Sequence, residues 1–290
     1  MKEVIEKAKT LVEVLPYLQE FRDAVVVVKF GGSAMERKEV IDSVLRDVVL
    51  LECVGLKPVI VHGGGKAISA KLKEVGIEPH FINGLRYTCR DTIGIVDDVL
   101  HSEVNAGLVD TMSKMGAPSK ALSGKQVLKA KKMWSKHHET GEEIDLGFVG
   151  EVCDVDSETI FNDLHNGHIP VITPVAVDDE GRTFNINADI AACKVAEKIK
   201  ARKLVFLSDV PGILNNPSDE SSLISTIRIA EIDGLVKDGV LSGGMLPKVM
   251  SAASALTHGV NKVHMIDGRL PHSLLLELLT DNGIGTEMVK

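Results

Sequence analysis

Short apolar runs alternate with amphipathic stretches along most of the chain. Val25-Val26-Val27-Val28 is β-branched, too short for a helix and apolar enough for a strand buried on both faces. It opens into Lys29-Phe30-Gly31-Gly32-Ser33. Val40, Ile41, Val44, Leu45, Val48, Val49 and Leu51 then recur at helical spacing. Pro58-Val59-Ile60-Val61 repeats the strand pattern and opens into His62-Gly63-Gly64-Gly65, with another helix from Lys66. Later apolar runs at 169–175, 204–207 and 263–266 alternate with helical patterns at 188–200, 230–237 and 247–257. Strands alternating with helices predict an α/β fold, a three-layer sandwich whose open, mostly parallel central sheet is covered on both faces.

Two regions break the rhythm. Ile5, Ala8, Val12 and Leu15 predict an N-terminal amphipathic helix, interrupted at Pro16 and followed by a turn around 17–21, with no core of its own. Residues 124–156 alternate apolar and polar positions among glycines and charges, which predicts antiparallel hairpins. The charges at 129–132 and 137–143 read as a solvated face. Residues 215–222 form a polar loop. The resulting organisation is an N-terminal helical segment over 1–22, a larger lobe over 23–200 and a smaller α/β lobe over 201–290, with a sheet that can run across the last boundary.

Composition narrows the partners. The net charge of −8 repels polyanions at long range, and with 3% aromatics there is little to stack nucleic acid bases on. Neither nucleic acid nor membrane is an expected partner. Cys53, Cys89, Cys153 and Cys193 are far apart, form no CxxC pair and read as reduced, mostly buried thiols in the cytoplasm. No residue pattern predicts a protein metal site.

The chemistry concentrates at strand ends. Ligands in open parallel sheets bind beyond the carboxyl ends of the strands. Glycine there lets backbone approach a ligand, and a helix N-terminus offers N–H groups to an anion. KFGGS and VHGGGK both have this form, and neither matches a P-loop or a dinucleotide fingerprint. Lys29 is either a surface lysine at a strand end or a counter-charge for phosphate. Lys248 follows another glycine turn, Ser242-Gly243-Gly244, with Pro247 in the first helical turn. In Phe184-Asn185-Ile186-Asn187-Ala188-Asp189 three polar groups recur at every second position before an apolar helix. Spacing alone favours a helix cap for Asn187 or Asp189. Arg86 is a surface arginine or a carboxylate clamp, and 207–212 is a strand end and turn suited to a nucleotide.

Taken in order, KFGGS, VHGGGKAIS, NGLRYT, FNINADIAA, KLVFLSDVPGIL and SGGMLPKV resemble the amino acid kinase family from about Val25 to the C-terminus. HGGG, GLRYT and FNINAD resemble the members that phosphorylate N-acetyl-L-glutamate on its side-chain carboxylate with ATP, an early step of arginine synthesis. The resemblance implies that Lys29 stabilises the transferring phosphoryl group, that Lys248 offsets charge on the ADP side, and that Asp189 organises both lysines. It implies backbone donors at Gly31, Gly32, Gly64 and Gly65, a carboxylate clamp at Arg86, and substrate contacts at Asn185 and Asn187. Ser208, Asp209, Gly212, Leu214 and Gly244 would line the nucleotide pocket, and Mg²⁺ would arrive with ATP. Tyr87 and Cys89 depart from the usual pattern and leave the shape of the acyl pocket open.

The ends of the chain resemble the arginine-sensitive branch of the family. There the N-terminal helices interlock dimers into a hexamer, a trimer of dimers, and arginine binds between that helix and the C-terminal lobe. Tyr17, Lys203, His272, Glu277 and Gly283 are the implied contacts, although Tyr17 also suits packing and His272 a helix cap. Rival readings are a sibling acyl-phosphate kinase acting on another amino acid or carbamate, and a non-catalytic arginine-sensing protein with the same fold.

Overall fold

β-Branched side chains favour extended backbone, and the four valines fall in strand β1 (Val25–Phe30). Successive residues of a strand face opposite sides. Val27 enters one hydrophobic core, while Val26, Val28 and Phe30 enter a second. β1 is therefore an inner strand with a packed layer on each face. The computed structural model describes residues 1–137, 140–281 and 283–290, with the backbone alone at Glu3 and Lys7.

Helices α1 (Lys2–Glu13) and α2 (Leu15–Glu20) precede β1. Then come α3 (Lys38–Cys53), β2 (Lys57–His62), α4 (Gly65–Glu74) and the short strands β3 (Phe81–Ile82) and β4 (Leu85–Arg86). Helix α5 (Arg90–Asp98) passes through a π-helical stretch, Val99–Asn105, into α6 (Ala106–Lys114). The middle of the chain holds β5 (Ser119–Leu122), α7 (Gly124–Val127), β6 (Leu128–Lys136), β7 (Glu143–Val155) and α8 (Ser157–His165). After β8 (Ile169–Ile172), β9 (Val175–Val177) and β10 (Thr183–Asn185), the chain enters α9 (Ala188–Lys198). The last part comprises β11 (Lys203–Ser208), β12 (Thr226–Arg228), α10 (Ile232–Lys237), α11 (Met245–Thr257), β13 (Lys262–Asp267), α12 (Ser273–Leu278) and β14 (Thr286–Val289).

The main sheet has the order β12-β14-β13-β11-β1-β2-β8-β5. The β13–β14 pair is antiparallel and the other pairs are parallel. The sheet is continuous across residue 200, because Val26 of β1 is in register with Lys203 of β11. Helices α9 and α11 supply the core on the Val27 face, and α3, α6 and α12 supply the other. The chain leaves β1 toward β2 and later returns to β11 on the opposite side. Strand order thus reverses at β1, where diverging loops open a crevice beyond the carboxyl ends.

The antiparallel middle is a β6–β7 hairpin, which closes with β9 and β10 into a small barrel. Lys131 and Lys132 pair across it with Glu151 (3.4 Å) and Asp145 (2.8 Å), as a solvated face would. His138 and Glu139 of that charged run lie outside the described residues. α1 leaves its apolar side chains in solvent, with Leu11 73% and Val12 66% exposed. The thiols differ from expectation. Cys193 is buried, but Cys53 and Cys153 are exposed, because Cys53 ends α3 and Cys153 takes the outward side of β7, beside inward Val152. Among the described residues no helix is long and apolar enough to cross a membrane.

Candidate active site

Lys29 shares the strand face of Val27 and so points at the layer holding α9. Asn187 caps that helix, its Oδ1 accepting from the amides of Asp189 (2.8 Å) and Ile190 (3.2 Å). With the cap supplied by Asn187, the Asp189 carboxylate is free to turn toward β1. It lies 2.8 Å from Lys29 Nζ and 4.0 Å from Lys248 Nζ, which comes from the first turn of α11. Burial would raise the Asp189 carboxyl, but the two lysines outweigh it and hold the group below the ordinary aspartate value. Burial lowers the Lys248 ammonium, Asp189 opposes that effect, and Lys29 adds to it. Two cations thus converge on one anion and leave a net positive charge in a desolvated place.

The glycine turns after β1 and β2 touch one another. Gly63 N–H donates to Phe30 O (2.7 Å), and a Cβ on Gly63 would lie 3.5 Å from Gly31 Cα. A Cβ on Gly31 would lie 2.9 Å from Lys29 Nζ, so glycine keeps that ammonium clear. Gly32 has φ +64°, a conformation glycine adopts without strain. Lys29, Gly32, Gly63, Gly64, Gly65 and Arg86 line a cavity of about 730 Å³. On the other side Asn187, Asp189, Gly243, Gly244 and Lys248 line one of about 710 Å³. The three charged groups stand between two chambers, an arrangement that can bring two ligands together across them.

Arg86 is buried, with Nη2 donating to Gly65 O and Ser69 Oγ, both at 2.8 Å. Its Nη1 is buried without a protein acceptor, which suits a ligand carboxylate. Asn185 Nδ2 donates to Thr88 Oγ1 (3.1 Å), and Asn185 shares a third cavity with Arg86, Gly64 and Gly65. Ser69 was not visible as a site residue in the sequence, because only the fold brings it to Arg86.

The expected nucleotide residues divide. Gly244 lines the Lys248 chamber, and the Asp209 charge acts on the Lys248 ammonium. Ser208 ends β11 in register with Asp267. Gly212 and Leu214 face the C-terminal strand and the polar loop. A Cβ on Gly212 would lie 2.6 Å from Thr286 Oγ1, and Leu214 bridges to Leu223.

His62, at the end of β2, is fully buried, and burial pushes its pKa down from 6.5 to about 4. Between those values the unfolded chain holds a proton that the native chain does not, so stability falls on acidification. The expected loss is about 3 kcal/mol across that window. Denaturant melts at pH 7 and pH 4.5 measure it, and the His62→Gln variant should lose the steep part of the profile. Parallel profiles for the two proteins would refute the assignment.

A separate cavity of about 540 Å³ lies between α2 and the last elements, lined by Tyr17, Lys203, His264, Glu277 and Gly283 among others. Glu277 accepts from Ile284 N (2.7 Å) and Gly285 N (3.0 Å) and pairs with His264 Nδ1 (2.6 Å). Burial would raise its carboxyl, but these partners hold it below the ordinary glutamate value. Gly283 has φ +59°, and a Cβ there would lie 2.8 Å from Glu277 Oε2. Tyr17 bonds Asp281, and Lys203 Nζ sits 4.6 Å from the Phe21 ring centroid. His272 is not in this cavity. Buried Asp47 of α3 draws its Nδ1 to 2.6 Å, and its N–H donates to Ser43 Oγ (3.1 Å). The histidine lining the cavity is His264 of β13.

Residues 24–267 match the model of the amino acid kinase family, and the chain belongs to that family. It is 46% identical to the acetylglutamate kinase of Archaeoglobus fulgidus over 97% of this chain and 99% of that protein. Among solved structures it is similar to N-acetylglutamate synthase from Neisseria gonorrhoeae. The complex with coenzyme A and N-acetyl-glutamate gives a TM-score of 0.84 at 26% identity, covering 98% of this chain and 63% of that one. The complex of the same synthase with coenzyme A and L-arginine gives 0.79 at 25% identity, over 96% of this chain and 64% of that one. The chain therefore spans just under two thirds of the synthase.

Proposed function

We propose that the protein transfers the γ-phosphoryl group of ATP to the side-chain carboxylate of N-acetyl-L-glutamate, giving N-acetyl-L-glutamyl 5-phosphate and ADP. The observation that carries this is the Lys29–Asp189–Lys248 cluster between two chambers. A carboxylate is already a nucleophile at neutral pH, so no general base is needed. One carboxylate oxygen bonds to the γ-phosphorus while the bond from that phosphorus to the β–γ bridging oxygen breaks and ADP leaves. Such a reaction is accelerated by positioning and by positive charge around the phosphoryl oxygens.

In this reading Lys29 sits by the moving phosphoryl group, Lys248 by the departing ADP, and Asp189 spaces the two ammoniums. Gly31, Gly32, Gly64 and Gly65 present backbone N–H groups to the phosphoryl or the acceptor. Arg86 holds an acceptor carboxylate, and Asn185 and Asn187 bound its pocket. The residues over 23–200 form the acceptor lobe. Those over 201–290, with Ser208, Asp209, Gly212, Leu214 and Gly244, form the nucleotide lobe. Magnesium accompanies ATP as part of the substrate. Among the described residues no cluster of three or more acidic, histidine or cysteine groups is poised for a metal of the protein's own.

ADP release from Mg-ATP, compared with N-acetylglutamate, glutamate, aspartate and carbamate, tests the assignment. Activity confined to N-acetylglutamate is expected. Activity on another acceptor moves the substrate, and no activity at all favours a sensing protein. Arg86→Ala should raise KM for N-acetylglutamate about 10²-fold through the lost charge and the lost Nη1 donor, with KM for ATP little changed. An unchanged acceptor KM would remove Arg86 from binding.

The 540 Å³ cavity supports feedback inhibition by arginine. Glu277, Asp281 and Glu287 suit a guanidinium, and Lys203 and Lys262 suit the α-carboxylate. The exposed apolar side chains of α1 support burial against another copy of this chain, in a dimer-based hexamer of the cytoplasm.

A further inference from the structure

We infer that His62 and Asn105 form a buried relay that fixes the Gly63–Gly64 peptide and so aims the Gly64 N–H into the phosphoryl-transfer chamber. The inference deepens the kinase reading and rests on it. Both side chains are fully buried. The relay starts at a main-chain carbonyl of the sheet. Val171 O, on β8 beside β2, can only accept, and it takes a hydrogen bond from Asn105 Nδ2 at 2.7 Å. That contact settles which end of the Asn105 amide is nitrogen. The same Nδ2 lies 3.0 Å from His62 Nε2, and its second hydrogen points there.

Nε2 must therefore accept, and in a neutral imidazole the proton then resides on Nδ1. Nδ1 lies 2.7 Å from Gly63 O and donates to it. The Gly63–Gly64 peptide bond is trans, so the C=O of Gly63 and the N–H of Gly64 point in opposite directions. Holding the carbonyl inward turns the Gly64 N–H outward, to the face where Gly64 lines the chamber with Lys29 and Arg86. Each donor finds its acceptor in one direction only. The chain of bonds runs from the sheet to the catalytic loop without a branch.

The π-helical stretch belongs to the same device. It ends at Asn105 and thereby sets where that side chain falls. π-Bulges inside helices cost hydrogen-bond geometry and cluster at functional sites. The stretch also reaches the loop directly, since a Cβ on Gly64 would lie 2.6 Å from Leu100 Cδ2. Asn105 Oδ1 is buried without a partner, a cost that a purely structural role would have been relieved of by an apolar residue.

His62 and Asn105 are positioning residues, since neither reaches the chamber itself. Two measurements on the full-length protein test the relay. Nitrogen-15 NMR of histidine-labelled protein should show His62 as the neutral Nδ1–H tautomer from pH 5.5 to 8. Asn105→Leu keeps the branched shape with the same number of heavy atoms and removes both donors. It should fold, lose about 10²-fold in kcat with N-acetylglutamate, and keep both KM values within about threefold. An Nε2–H tautomer in the unaltered protein overturns the relay, even if the variant does not fold. A folded Asn105→Leu variant with unaltered kcat, or one whose loss lies wholly in KM, also overturns it. The NMR reading needs no turnover. A protein inactive on every acceptor but showing the Nδ1–H tautomer would therefore discard the kinase reading and leave the relay in place.

Discussion

Lys29→Ala is expected to fold and to lose at least about 10²-fold in kcat, with both substrates still bound. Lys29 is 9% exposed and makes the closer of the two ion pairs to Asp189, at 2.8 Å against 4.0 Å for Lys248. Its ammonium is the one charge on β1 that the strand register aims into the crevice. In the proposed reaction, removing it withdraws positive charge where negative charge builds on the phosphoryl oxygens. It also leaves Asp189 buried with one distant partner. In the intact protein the lowered Asp189 pKa contributes stability that is present above the ordinary aspartate range and lost as pH falls through the folded value. The variant should lack that contribution and denature at higher pH on acidification. Single-turnover kinetics, with ADP and acyl phosphate followed separately, measure the first effect, and acid titration of the circular dichroism measures the second. Turnover at the unaltered rate would remove Lys29 from the mechanism.

In the proposed control model, deleting residues 1–22 is expected to abolish the hexamer and arginine inhibition together while leaving catalysis nearly intact. Among the described residues the two chambers beside Lys29 and Lys248 draw none from this segment, whereas the 540 Å³ cavity takes Tyr17, Glu20 and Phe21 from it. Loss of Tyr17 frees Asp281, and loss of Phe21 bares Lys203. Light scattering and an arginine titration of initial rates read the two outcomes. Because coupling between bound ligands is reciprocal, the intact protein should also bind arginine more weakly when N-acetylglutamate is present. A truncated protein that still forms hexamers and is still inhibited would refute the control model.

The strand ends were legible because their physics is local. Val25 to Val28 and Val59 to Val61 can only be buried strands, and glycines placed straight after them mark close backbone approach. The sequence could not choose between Asn187 and Asp189 as the helix cap. Both have suitable side chains, and only the position of Lys29 makes the carboxylate more useful facing the sheet. The family resemblance pointed to His272, whereas the cavity beside Glu277 is lined by His264. A buried Asp47 from a helix distant in sequence holds His272 elsewhere, and local sequence carries no sign of that contact. The small barrel was readable as a hairpin but not as closed, since β9 and β10 are three residues each. The π-helical register left no periodic trace, and the His62–Asn105 contact joins residues 43 positions apart.

The continuity of the sheet through β1 has a consequence for the newborn chain. β1 can pair with β2 as soon as that strand is made, but its other edge waits for β11, and Lys29 waits for Asp189 and Lys248. At ordinary synthesis rates of roughly 5–20 residues per second, the wait for Lys248 lasts on the order of 10–40 s. Until β11 is made, a four-valine edge lies open. The polypeptide is most prone to aggregate in that interval, and its three-charge cluster is complete only after Lys248 has followed Asp189.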